Sequence, residues 1–131
     1  YMKKKRVLVD LSATIIHHGH IRLLKKSKKY GTIIVGLSTD KEVKKYKGYY
    51  PELNFKYRKE IVSSIKYVDK VIPSKWKITN SFLKKNKIDI IIRGHDHKKD
   101  KFQIKSIIFP RTKGISSKLL RKKSAMIYKK K

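Results

Sequence analysis

His17, Gly19 and His20 fall together in the run His17-His18-Gly19-His20, between the apolar pair Ile15-Ile16 and a helical pattern that begins at Ile21. Two imidazoles spaced His-x-Gly-His at a strand-to-helix turn can converge on one anion. The glycine lets the backbone come close, and the helix that follows offers unpaired N–H groups and the positive end of its dipole. Far downstream, Arg111-Thr112-Lys113-Gly114-Ile115-Ser116-Ser117 repeats the combination, with a guanidinium, a glycine and hydroxyls ahead of another short helix. Two such elements in one small chain predict an enzyme that handles a nucleoside triphosphate. His17 and His20 would contact the α- and β-phosphates, and Lys44 and Lys47 would clamp them from a mobile loop. Arg111 would grip a phosphate bidentately, with Ser116 or Ser117 adding a helix N-terminus.

A transition-metal centre is the competing chemistry, because all five histidines fall in two clusters, His17-His18-His20 and His95-Asp96-His97. No His-x-x-x-His or His-Glu-x-x-His spacing puts two ligands on one helix face, so the phosphate reading is preferred and His18 is read as a packing residue. Asp96, just beyond a strand, suits either an amino group of a base or Mg²⁺.

Positioning these groups requires strands that end beside one another. Arg6-Val7-Leu8-Val9-Asp10-Leu11 reads as a buried strand, Thr32-Ile33-Ile34-Val35-Gly36-Leu37 as a second, Lys70-Val71-Ile72-Pro73 as a third, Asp89-Ile90-Ile91-Ile92-Arg93 as a fourth and Ser106-Ile107-Ile108-Phe109-Pro110 as a fifth. Between them lie a basic helix from Ile21 to a cap at Gly31, a polar connection over 41–54, a helix over 57–68, a helix over 79–86 and a closing helix from Ser116 or Ser117 through Leu119-Leu120, with a basic tail fraying after Arg121. Strands alternating with helices predict a single α/β, Rossmann-like, doubly wound domain spanning residues 1–131, with a five-stranded, mainly parallel sheet. Every candidate cluster follows the carboxyl end of a strand, where ligands bind in such folds.

Composition bounds the rest. The chain has 131 residues, no cysteine, and 37 basic against 9 acidic residues for a formal charge of +28. Disulfide and thiolate chemistry are excluded, and no apolar run is long enough for a membrane span. The basic N-terminus lacks the apolar core of a signal peptide, so a cytoplasmic protein is expected. The lysines are spread evenly rather than gathered with aromatics, which predicts attraction to anions in general and no dedicated nucleic-acid partner.

These residues resemble the small cytidylyltransferases of the glycerol-3-phosphate type, within the His-x-Gly-His nucleotidyltransferase superfamily. The likeness runs over residues 7–121 through His17-His18-Gly19-His20, Gly36-Leu37-Ser38-Thr39-Asp40, Tyr57-Arg58-Lys59-Glu60, Tyr67-Val68-Asp69-Lys70-Val71-Ile72-Pro73 and Arg111-Thr112-Lys113-Gly114-Ile115-Ser116. The last element separates cytidylyltransferases from other His-x-Gly-His enzymes. Where the family has Gly-Thr-Phe-Asp, this chain has Leu11-Ser12-Ala13-Thr14, closer to the cytidylyltransferase domains fused to phosphoenolpyruvate mutases; where it has Gly-Asp-Asp-Trp, this chain has Gly94-His95-Asp96-His97. The resemblance implies transfer of CMP from CTP to a small phosphorylated alcohol or phosphonate, with Mg²⁺, release of pyrophosphate and a homodimer. It implies His17, His20 and Lys47 as catalytic groups, Arg58 as a support of the site, and Ser12, Ala13, Gly19, Lys44, Gly94, Asp96, Arg111, Thr112, Ile115, Ser116 and Ser117 around the nucleotide. An adenylyltransferase on the same fold and a non-catalytic polyanion-binding domain are the alternatives.

Overall fold

The apolar β-branched runs build one sheet. The computed structural model describes residues 4–94 and 100–130, and its strands are β1 (Arg6–Leu11), β2 (Thr32–Ser38), β3 (Lys70–Ser74), β4 (Ile90–Gly94) and β5 (Lys105–Phe109). All are parallel, in the order β3-β2-β1-β4-β5. Alternate residues of the central strands therefore feed two cores. Val7, Val9, Val35 and Ile92 pack with Leu24 and Val62 on one face, and Leu8, Ile34 and Ile91 pack with Leu83 and Ile88 on the other. Leu24 belongs to α1 (His18–Ser27) and Val62 to α3 (Phe55–Ser63), while Leu83 belongs to α4 (Asn80–Lys85). Helices thus cover both faces, as a doubly wound domain requires.

Three stretches differ from expectation. The connection over 41–54 is not a loop throughout, because residues Asp40–Lys47 form helix α2, N-capped by the Thr39 hydroxyl and closed by Gly48 in the left-handed region at φ 84°. Helix α3 stops at Ser63 instead of reaching 68; the Ser64 hydroxyl bonds back to the Glu60 carbonyl at 2.8 Å and the chain turns toward β3. The tail does not fray after Arg121. Helix α5 (Ser117–Lys129) continues through it, capped at its start by Ser116.

Most of the described carboxylates are engaged in ion pairs or backbone hydrogen bonds, several of them at the surface. Asp10 and Asp100 pair with the buried Arg93, Asp40 with the buried Arg58, Glu52 with Arg121 and Asp69 with Lys28. Glu42 accepts the Trp76 backbone N–H at 2.8 Å, and Asp89 accepts that of Arg6 at 2.8 Å. No described helix is long and apolar enough to cross a membrane.

Candidate active site

After β3 the chain reverses its direction of travel across the sheet and crosses to β4 on the other side of β1, so the switch lies at β1. A cleft opens there at the carboxyl ends of the strands, with a volume of about 390 Å³, in the range of small-molecule sites. The end of β1, the N-terminus of α1, Gly94 of β4 and residues 109–118 after β5 line it.

His17 is the N-cap of α1, and its position dictates the state of its ring. Its Nδ1 accepts the Gly19 backbone N–H at 3.1 Å, and the His20 Nδ1 accepts the His17 backbone N–H at 3.1 Å. The two imidazoles form a reciprocal capping box in place of the usual serine and glutamate. With both Nδ1 atoms occupied as acceptors, each neutral ring carries its proton on Nε2. The rings lie 3.9 Å apart between centroids, and both line the cleft. Burial first, and then His17 and Lys47, push His20 down to about 3; burial and His18 lower His17. Both are therefore uncharged hydrogen-bond donors at neutral pH. Gly19 is required by contact: a Cβ there would stand 2.8 Å from His17 Cε1, 2.9 Å from His17 Nδ1 and 3.3 Å from Ile115 Cγ2.

Lys47, at the last turn of α2, reaches the same cleft with its ammonium 5.8 Å from the Trp76 ring centre, and Trp76 stacks on Tyr46 at 5.5 Å. Burial, Arg121 and Arg111 lower its pKa, and Glu52 opposes them. Arg111 and Thr112 line the cleft, as do Ser12, Gly94, Ile115, Ser116 and Ser117. The two serine hydroxyls are nevertheless structural. Ser116 Oγ accepts the Leu119 N–H at 3.0 Å, and Ser117 Oγ donates to the Ile15 carbonyl at 2.8 Å, so it is the start of α5 rather than a hydroxyl that faces an anion.

Several expected groups lie elsewhere. Lys44 turns back on its own helix end, donating to the Gly48 carbonyl at 3.0 Å, and does not reach the cleft. Arg58, expected as a support of the site, is completely buried and lines no part of the cleft; it donates to Ser12 O at 2.8 Å, Leu53 O at 3.0 Å and Asp40 Oδ1 at 2.7 Å, holding the loop after β1 from behind. Ala13 is buried beneath the cleft at φ 45°, a left-handed backbone that turns the chain from β1 toward α1. His18 is exposed, not packed, and meets His17 edge-on at 6.2 Å. Asp96, with His95 and His97, lies outside the described residues.

Arg22, Lys26, Trp76 and Lys118 join the cleft without having been singled out by sequence. Helical spacing from Gly19 gives Arg22 and Lys26 as one face of α1 (i, i+3, i+7), which was the available signal. Among the described residues no group of three or more histidines or carboxylates is placed to hold a metal ion, and the cleft's Asp10 carboxylate pairs with Arg93 Nη2 at 2.8 Å.

A neutral histidine pair and a second anion element on one cleft narrow the choice of family, and a family model described as cytidylyltransferase-like matches residues 12–123. The chain belongs to that family. It is thereby a nucleotidyltransferase, the enzyme class expected from its two anion elements. This cytidylyltransferase-like chain is 37% identical over 123 residues to glycerol-3-phosphate cytidylyltransferase of Staphylococcus aureus, covering 86% of this chain and 89% of that one. It is also 38% identical over 111 residues to FAD synthase of Pyrococcus horikoshii, covering 80% of this chain and 75% of that one. Among solved structures, it resembles the lipopolysaccharide core biosynthesis protein of Thermoplasma volcanium at a TM-score of 0.73 and 27% identity, covering 82% of this chain and 98% of that one.

Proposed function

We propose that this chain transfers CMP from CTP to a small phosphorylated alcohol or phosphonate. The observation that carries the reading is the imidazole pair at the N-terminus of α1, whose Nδ1 atoms are engaged and whose Nε2–H groups remain to donate into the cleft. An acceptor phosphate or phosphonate oxygen attacks the α-phosphorus in line. A new P–O bond forms, the α–β bridging P–O bond breaks, and its electron pair leaves with pyrophosphate. Negative charge on the α-phosphoryl and bridging oxygens grows in that step, and the two preorganised donors, the α1 dipole and the Lys47 ammonium meet it. Arg111, near enough to Lys47 to lower its pKa, holds the triphosphate from the segment after β5. No side chain forms a covalent bond with the nucleotide. Mg²⁺ would accompany the triphosphate as its counter-ion and supply charge screening there.

A panel of CTP, ATP and GTP, each with Mg²⁺, tests the reading through pyrophosphate release with glycerol 3-phosphate, phosphocholine, phosphoethanolamine or aminoethylphosphonate. Release from CTP with one of these acceptors supports it. Release from ATP alone supports an adenylyltransferase instead, a reading favoured by the similarity to FAD synthase. A homodimer is part of the proposal, and light scattering at micromolar concentration checks it.

A further inference from the structure

Helix α5 has a part that the nucleotide site does not use. Beyond Arg121 it leaves the body of the domain, and every described residue from 122 to 130 is exposed. Met126, Ile127 and Tyr128 on this projecting part are 59%, 63% and 83% exposed, and Leu119 nearer the body is 42% exposed. One exposed apolar side chain needs no explanation, but three that share a side of one helix call for one, while Tyr128 faces the other way. Leu119, Met126 and Ile127 stand at i, i+7 and i+8, which places them on one side of the helix. Lys118, Lys122 and Lys129 border that side, and Lys123 and Lys130 interleave with it; no acidic residue occurs from 117 to 130.

The chemistry of the patch selects its partner. A nucleic-acid strand would use the lysines and one aromatic ring but would leave Leu119, Met126 and Ile127 without a role, since bases stack on aromatic faces. A second copy of the same helix would cover the aliphatic residues but set lysine against lysine. Most described carboxylates that would relieve that repulsion already have partners within each molecule, and none lies on α5. An acidic bilayer satisfies both halves: the aliphatic side chains enter the acyl boundary, and the lysine stems lie along it with their ammonium groups among the headgroups. We infer that α5 docks this protein peripherally on an anionic lipid surface. The inference is independent of which acceptor the enzyme uses.

Co-sedimentation of the full chain with vesicles tests it, comparing pure phosphatidylcholine with phosphatidylcholine containing phosphatidylglycerol. The double variant Met126→Ser, Ile127→Ser removes aliphatic surface without touching charge, and neither residue lines the cleft. Binding is expected for the acidic vesicles only, weakening with salt, with about a tenfold loss of affinity in the double variant while its melting temperature stays that of the parent. Equal binding by parent and variant overturns the inference, because net charge alone would then suffice. Absence of binding, or equal binding to zwitterionic vesicles, overturns it as well. Self-association that the variant loses assigns the patch to a second copy, and RNA binding that the variant loses in place of vesicle binding assigns it to nucleic acid; either result also overturns it.

Discussion

Each histidine of the cleft has one nitrogen committed to the backbone, and this decides what the other can do. A doubly protonated ring would have to give up an accepted N–H bond, so acid acts on the α1 cap and on the site together. Folded-state pKa values below the ordinary 6.5 mean that the unfolded chain binds more protons as pH falls from 6.5 toward 3. Stability from this source is complete above pH 6.5 and is lost progressively through that window. Urea titrations at stepped pH are expected to show it, with His20→Asn reducing the slope. Removing a transition-state donor costs about 3 kcal/mol, so His17→Ala or His20→Ala is expected to lower kcat about a hundredfold in a pyrophosphate-release assay. Gly19→Ala should fall nearly as far, since the new methyl group displaces the His17 ring. The functional spacing was legible at this scale; the proton positions were not, because they depend on which backbone N–H each ring meets after folding.

Helix α2 illustrates what local signals can and cannot convey. Thr39 with Glu42 three residues on, and Gly48 at the far end, form a start-and-stop signature that identifies Asp40–Lys47 as a helix, yet the polar composition of 41–54 suggested a loop. Once helical, Lys47 reaches the cleft while Lys44 returns to its own C-terminus. Arg58 was legible only through the family resemblance: a charged residue in a helix is normally solvated, and only the assembled fold shows three acceptors enclosing it. Replacing it by Met leaves Ser12 O, Leu53 O and Asp40 without their donor and is expected to cost about 3 kcal/mol, roughly a 10 °C fall in melting temperature by calorimetry. Arg121 works similarly on the other side. It pairs with Glu52 and donates to Tyr49 Oη at 2.9 Å and Thr14 Oγ1 at 3.2 Å, tying α5 to the segment after Lys47 and to the loop ahead of His17. Arg121→Gln is expected to speed amide exchange in both tied segments, measured by mass spectrometry, while α4 on the opposite face keeps its protection.

At the scale of the molecule, 37 basic against 9 acidic residues leave a strongly cationic field. Attraction of a triphosphate into a cationic cleft weakens as ions screen it. The KM for the nucleotide is therefore expected to rise several-fold between about 50 mM and 300 mM salt with kcat little changed, in steady-state kinetics at constant pH. Sheet class and strand content were legible throughout, since five apolar β-branched runs allow few other arrangements. The edges of elements were not, because they are settled by single hydroxyl and carbonyl contacts such as Ser64 on Glu60. The strand order has a consequence for how the chain is made. β1 is synthesised before the other strands yet sits in the middle of the sheet, flanked by β2 and by β4 at residues 90–94. Its second edge therefore waits, unpaired, until most of the chain has left the ribosome. Late closure of a distant parallel pairing is slow and exposes sticky backbone meanwhile. For this enzyme the hazardous interval is nascent: yield in a cell should depend more on translation speed and chaperone supply than on the stability of the finished fold.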